Sequence, residues 1–181
     1  VRGLTLALAL LSSGCVTTPR PKPESGFLLK LAPAAFGREL QLAQRITVVR
    51  GADRKTFEAQ LEIDATGVRI AAVALGQTVA SLSWNGSELT QQVSTHVPEA
   101  ITAERILCDV QLAWWPAATI RAALPPGFAL EELDGKRTLS RDGATVATVD
   151  YTGTGPVWNR VRLVHARYGY ELDIESVELT P

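Results

Sequence analysis

The chain has 181 residues and a mass of 19.5 kDa, room for one ordinary domain with short appendages. Hydrophobic residues make up 46% and charged residues 20%, a globular rather than a disordered balance. Lys+Arg number 18 against 19 Asp+Glu, which leaves no basic excess for nucleic acid. Two Cys and two His rule out a disulfide scaffold and disfavour a closed zinc site.

Residues 1–14 read as a bacterial lipoprotein signal. Arg2 is a minimal positive start, residues 4–11 form an apolar run too short to cross a bilayer, and Ser12, Ser13 and Gly14 precede Cys15. The order resembles a lipobox, with Ser12 where Leu is usual, and predicts acylation of Cys15. An ordinary secretory signal with Cys15 merely nearby is the competing reading. The residue after the cysteine is Val16 and not Asp, which in lipobox sorting logic implies delivery to the outer membrane. Pro19, Pro21 and Pro23 make residues 16–26 an extended spacer. Residues 15–35 are therefore assigned to the lipidated cysteine and tether, and 36–181 to the folded domain.

Beyond the tether the apolar period is two. Leu40, Leu42, Ile46 and Val48 alternate with polar residues, and Gly51 to Arg54 turns the chain. Phe57, Ala59, Leu61 and Ile63 form a clean half-buried strand, closed by a turn from Asp64 to Gly67. Val68 to Leu75 is a more continuously apolar strand. Val79 to Trp84 and Glu88 to Val93 flank Asn85-Gly86, a two-residue hairpin signal. From Pro98 to Leu124 the spacing becomes helical. Ile101, Ile106, Leu107, Val110 and Trp114 share an apolar side, with Thr102 as N-cap. Pro116 opens a second helix carrying Ile120, and Pro125-Pro126-Gly127 stops it. Alternation then returns in Phe128 to Leu133, Arg137 to Ser140, Thr145 to Tyr151, Trp158 to Ala166 and Tyr170 to Leu179.

About ten strands joined by short turns predict antiparallel pairing. A twisted sheet of that width curls, and its inner face must be covered. The predicted fold is mainly β with a helical lid: a curved antiparallel sheet forming an incomplete, half-open barrel covered by two short helices. Such a shape encloses an apolar cleft, the kind of surface that binds ligands.

Several stretches carry a resemblance. They are Ala74 to Thr78, Leu82 to Leu89, Ile106 to Pro116 with Arg121 to Leu124, Trp158 with Arg162 and Leu163, and Tyr168 to Ile174. The chain resembles the LolB/LolA-type lipoprotein carriers of Gram-negative envelopes. It is more similar still to an uncharacterised family of outer-membrane-type lipoproteins assigned to the same fold. The resemblance implies transport rather than reaction, with acyl chains accepted by a concave sheet under a helical lid. It also implies that the loop between the third and fourth strands presents an apolar residue to the membrane, and Leu75 holds the matching position. The other reading of Leu75 is the end of a buried strand. Members of the more similar family accompany aryl-polyene or fatty-acid-like biosynthetic genes, which would suit a polyene, fatty-acid or lipid-like cargo in the same cleft.

Cleft and lid positions expected from the pattern are Phe57, Leu61, Ile63, Ile70, Ile106, Val110, Trp114 and Ile120. Period two does not say which sheet face is concave. Adjacent Trp114 and Trp115 point to different sides of their helix, so one can lie under the lid while the other approaches the cleft, or both are core. The features that could support an enzyme are weak. His165 reads as a buried strand histidine and His96 as a loop histidine, with no Gly-x-Ser-x-Gly elbow and no His-Glu-x-x-His helix. Gly153-Thr154-Gly155 reads as a plain turn, Cys108 as a packed thiol, and Glu171, Asp173 and Glu175 as a wet sheet face. No enzyme activity, metal or cofactor is expected. The leading expectation is a monomeric, outer-membrane-anchored, periplasm-facing protein binding or transferring an acyl or lipoprotein-like ligand. Its alternative is a structural adaptor docking on an envelope assembly without a ligand.

Overall fold

The computed structural model describes residues 27–74, 77–93, 102–153 and 159–179. Ten strands form one antiparallel sheet: β1 (Leu40–Arg50), β2 (Asp53–Ile63), β3 (Val68–Ala74), β4 (Gln77–Trp84), β5 (Leu89–Val93), β6 (Phe128–Leu133), β7 (Lys136–Arg141), β8 (Ala144–Thr152), β9 (Arg160–His165) and β10 (Tyr170–Glu178). The spatial order is β5-β4-β3-β2-β1-β10-β9-β8-β7-β6. Two five-strand meanders are thus joined at a single seam, where β1 pairs with β10 from Leu42↔Glu178 to Val49↔Glu171. The edge strands β5 and β6 do not pair with each other, so the barrel is incomplete. Helices α1 (Ala103–Trp114) and α2 (Ala117–Ala123) lie in the connection between them.

Local chemistry explains the joints. Asp134-Gly135 and Asp142-Gly143 all have positive φ, the backbone that a two-residue turn between right-twisted strands requires. The Asn85-Gly86 signal resolves differently. Trp84 pairs with Leu89, so the loop has four residues, Asn85 to Glu88. The Asn85 carbonyl accepts from Ser87 N (2.9 Å) and Glu88 N (2.8 Å), and this side-chain closure replaces the tight turn. Asp64 does the same for the β2–β3 loop, accepting from Thr66 N (2.7 Å) and Gly67 N (2.9 Å). The Thr66 hydroxyl, which donates to the same oxygen at 2.6 Å, then the Arg69 guanidinium at 2.6 Å and these backbone bonds, hold its carboxyl well below the ordinary carboxylate range.

Thr102 caps α1, its hydroxyl accepting from Arg105 N at 3.3 Å. Pro116 ends the helix by forcing Trp115 into extended backbone (φ −67°, ψ 151°). The carbonyls at the C-terminus of α1 are received by the sheet. Arg137 donates to Leu112 O (2.8 Å) and Tyr151 to Ala113 O (2.7 Å), while Arg121 of α2 donates to Leu130 O (2.9 Å). Both helices are therefore tied to the β6–β8 side.

Residues 27–35, assigned to the tether by their sequence, pack into the core: Leu29 is 1% exposed and Leu31 8%. A 3-10 turn, Pro33–Phe36, completes this segment. Gln111 of α1 holds Leu31 by both backbone atoms, accepting from its N–H and donating to its C=O, each at 2.9 Å. Trp84 Nε1 donates to the same carbonyl at 2.8 Å. The proline spacer signal stops at Pro23, and the alternating Leu29 and Leu31 behind it are the first core residues.

Candidate functional site: an apolar cavity beneath the lid

The inner face of β1–β4 is built in rows set by the strand register. The first row is Leu40, Ile63, Val68 and Trp84; the second is Leu42, Leu61, Ile70 and Leu82. Both are filled with large side chains, and the segment 27–36 and Trp115 complete the same core. In the third row the register places Gln44, Ala59, Ala72 and Ala80 side by side. Three methyl groups stand where the neighbouring row has Leu, Ile and Leu. Helix α1 cannot descend into that depression, because its contacts with segment 27–31 fix its height.

The result is a cavity of about 250 Å³. Ala59, Ala72, Ala80 and Ile70 form its floor, Ile46, Val48, Leu172 and Ile174 one wall, and Ile106, Val110, Ala113 and Trp114 its roof on α1. Phe57 and Val79 close the β2 and β4 sides, with exposed Lys55 and Thr56 at the rim. A dry apolar cavity of about 150 Å³ suffices to bind benzene, so this one has room for a short stretch of hydrocarbon chain.

Of the positions read from the sequence, the structure brings Phe57, Ile70, Ile106, Val110 and Trp114 to the cavity. Leu61, Ile63 and Ile120 are not on it. They are 1%, 1% and 0% exposed in the close-packed core, because the rows carrying Leu61 and Ile63 have no small residue to open them. The two tryptophans divide: Trp114 lines the cavity, while Trp115 is fully buried against Phe36 with ring centroids 5.1 Å apart. Cys15, Leu75, His96 and Trp158 lie outside the described residues.

The sequence reading missed the polar members of the site. Asp109 lines the cavity and is 6% exposed. Its position was legible: on α1, residues 106, 109, 110 and 113 share a face, and an aspartate in an apolar stripe is a flag. Tyr170 donates its hydroxyl to Asp109 Oδ2, and Arg105 Nη1 lies 3.9 Å from Oδ1. Burial pushes the Asp109 carboxyl up to about 7, with the Tyr170 bond and the Arg105 charge opposing the rise. Gln44, a buried amide on the wall, donates to Ser176 Oγ at 3.0 Å.

Behind α1 lies the rest of the network. His165 Nε2 is 3.3 Å from Arg105 Nη1. Burial first, then the Arg105 and Arg167 charges, lowers its pKa to about 4, so it is neutral and Nε2 accepts from the guanidinium. Arg105 also covers the Tyr168 ring at 4.4 Å. Burial pushes the Cys108 thiol up to about 11, and its sulfur accepts from Leu29 N at 3.3 Å. A neutral thiol of this kind is a packing group. Glu171 and Asp173 pair with Arg162 and Arg160 on the outer face, away from the cavity. Among the described residues no cluster of His, Cys, Asp and Glu is arranged to hold a metal ion, and no helix is long and apolar enough to cross a membrane.

Solved structures of similar shape exist at low identity. The LolA superfamily protein NE2245 from Nitrosomonas europaea is 10% identical, with a TM-score of 0.46 over 83% of this chain and 90% of that one. A DUF1329 family protein from Desulfovibrio piger is 10% identical, with a TM-score of 0.35 over 77% and 83% of the two chains. No curated protein matches the chain significantly. A family profile matches residues 41–178, from the start of β1 to the end of β10, and by that match the chain belongs to the family described as "Protein of unknown function (DUF3261)".

Proposed function

We propose that the protein binds an acyl or other hydrophobic, lipid-like ligand in the cavity between α1 and the β1–β4 half of the sheet, and carries or transfers it without chemical reaction. The single observation that supports this reading is the row of Ala59, Ala72 and Ala80, which leaves about 250 Å³ of apolar space beside two rows filled with large side chains. Protein interiors rarely keep such a void, since each lost contact costs stability. The tether and Cys15 fit a setting in which the domain faces the periplasm from an outer-membrane lipid anchor. Several acyl chains on one cysteine are needed for firm attachment, so labelled palmitate should enter the protein and be lost in Cys15→Ser.

Native mass spectrometry of gently purified protein tests the binding reading, supported by titration with a fluorescent acyl probe. A co-purifying lipid mass, displaced by the probe, is expected. An empty protein to which the probe does not bind would favour a structural adaptor instead. The observation on that side is the outer edge of β5 and of β6, each strand paired on one side only among the described residues, whose edges could accept a partner's strand.

A further inference from the structure

The cavity has a direction. Along β2 the inward-facing side chains pass from exposed Lys55 through half-buried Phe57 to buried Ala59 and Leu61. Opposite them on β1 run half-buried Val48 and Ile46, then buried Gln44 and Leu42. Lys55, Phe57 and Ala59 line the space, whereas Leu61 and Leu42 do not. One end is therefore open at the rim of Lys55 and Thr56. The other is stopped by the filled row of Leu42, Leu61, Ile70 and Leu82, of which only Ile70 touches the cavity. A blind apolar pocket with an exposed mouth takes a chain end-on and stops it at a fixed depth.

Resting on the reading of the cavity as a ligand site, we infer that it measures chain length: it admits one unbranched hydrocarbon tail, methyl end first, encloses about ten of its carbons, and leaves the head group outside at the Lys55 rim. The length follows from the volume. A cavity of about 150 Å³ holds the six carbons of benzene, about 25 Å³ each. On that scale about 250 Å³ holds about ten carbons of one tail, or about five of each of two lying side by side. The direction follows from burial. A polar head at the blind end would lie against Ala59 and Ile70, where an unpaired polar group is costly, whereas at the mouth it stays in water. Two positions set the depth. Ala80 leaves the floor three carbons lower than the leucine of the neighbouring row, Leu82, and Ile70 fills the blind end.

The test is a series of unbranched carboxylates of six to sixteen carbons at pH 8, each kept below its micelle-forming concentration, read by displacement of the fluorescent acyl probe from the whole protein. Each methylene buried is worth about fourfold in affinity. Affinity should climb by about that factor per carbon up to about eleven, ten in the pocket and the carboxylate outside, and by less than about 1.5-fold per carbon beyond. Ala80→Leu adds three carbons to the floor and should move the break to about eight, while Ile70→Ala removes three and should move it to about fourteen. If Ile70→Ala does not fold, Ile70→Val removes one carbon at a smaller cost and should move it to about twelve. A steady climb through sixteen carbons, or a break that stays in place in the folded variants, would overturn the inference and leave the cavity a binding site. So would a break at about six carbons with two chains per protein in native mass spectra. A protein that binds neither the probe nor any chain overturns the binding reading itself. The co-purified mass separates the sources of the tail: a small-molecule mass marks a free amphiphile and a protein-sized mass an acylated protein. An alkyl tail in either agrees with the inference, and a ring system without one contradicts it.

Discussion

Asp109 and His165 approach the same guanidinium nitrogen, Arg105 Nη1 lying 3.9 Å from the carboxyl and 3.3 Å from the imidazole. Burial moves their pKa values in ways that oppose each other in stability. The Asp109 carboxyl is raised to about 7, so the unfolded chain ionises it first and stability falls as pH rises from about 4 to 7. The His165 imidazole is lowered to about 4, so the unfolded chain protonates first and stability falls as pH drops from about 6.5 to 4. Each slope is at most about 1.4 kcal/mol per pH unit. Relative to wild type, Asp109→Asn should gain stability on going from pH 4.5 to 6.5, and His165→Gln should lose it. Urea midpoints at the two pH values measure both; variants that track the wild-type slope would show that neither group is buried in its stated form.

Gln111 replaces part of a strand pair for Leu31, which otherwise has no β-ladder. Gln111→Leu keeps the side chain's volume but leaves the buried Leu31 N–H without its partner, at a cost of about 1–3 kcal/mol. The Leu31 carbonyl would still receive Trp84 Nε1. Adding Trp84→Phe removes that bond too, so the double variant should lose more than the two single losses combined. Denaturant unfolding of the four proteins completes the cycle.

Filling the depression tests the origin of the cavity. Ala72 sits between Ala59 and Ala80 in the third row, and Ala72→Leu places three further carbons in the hollow. Binding of the acyl probe should weaken at least tenfold. Stability should hold or rise by about 1 kcal/mol, the reverse of the usual outcome of enlarging a core residue. A loss of about 2 kcal/mol with unchanged probe affinity would mean that the hollow is not where the probe goes.

Trp114 and Trp115 offer an optical readout of occupancy. A brominated acyl chain seated under α1 lies against Trp114 and away from Trp115, which is enclosed by the core. Quenching on titration should survive Trp115→Phe and fall by more than half in Trp114→Phe. The opposite pattern would place the chain on the other side of the helix.

The strand pattern was legible because one sheet face is wet and the other dry, so Phe57 to Ile63 announces its strand by alternation alone. The helices were equally plain, since Thr102, Pro116 and Pro125 mark their limits. The site was less legible. Alternation assigns Leu61 and Ala59 to the same face, but only the register reveals that Ala59, Ala72 and Ala80 meet in one row and Leu61 and Ile70 in the next. That depends on loop lengths, and the Asn85 loop shows why these escape a simple reading: its side chain lets four residues do the work of two. Leu29 and Leu31 were grouped with the proline spacer because a short segment without a ladder has no period to display.

The seam between β1 and β10 carries a consequence for the order of assembly. The first strand of the sheet finds one of its two neighbours only after more than a hundred residues have followed it, with Leu42 waiting for Glu178. Hairpins of the first half can form early from local contacts, whereas joining the halves requires closure of nearly the whole chain, a slow kind of contact. Until then β1 presents a bare edge of the kind that invites intermolecular pairing. A newly made molecule would therefore be most vulnerable to aggregation just before its last strand arrives.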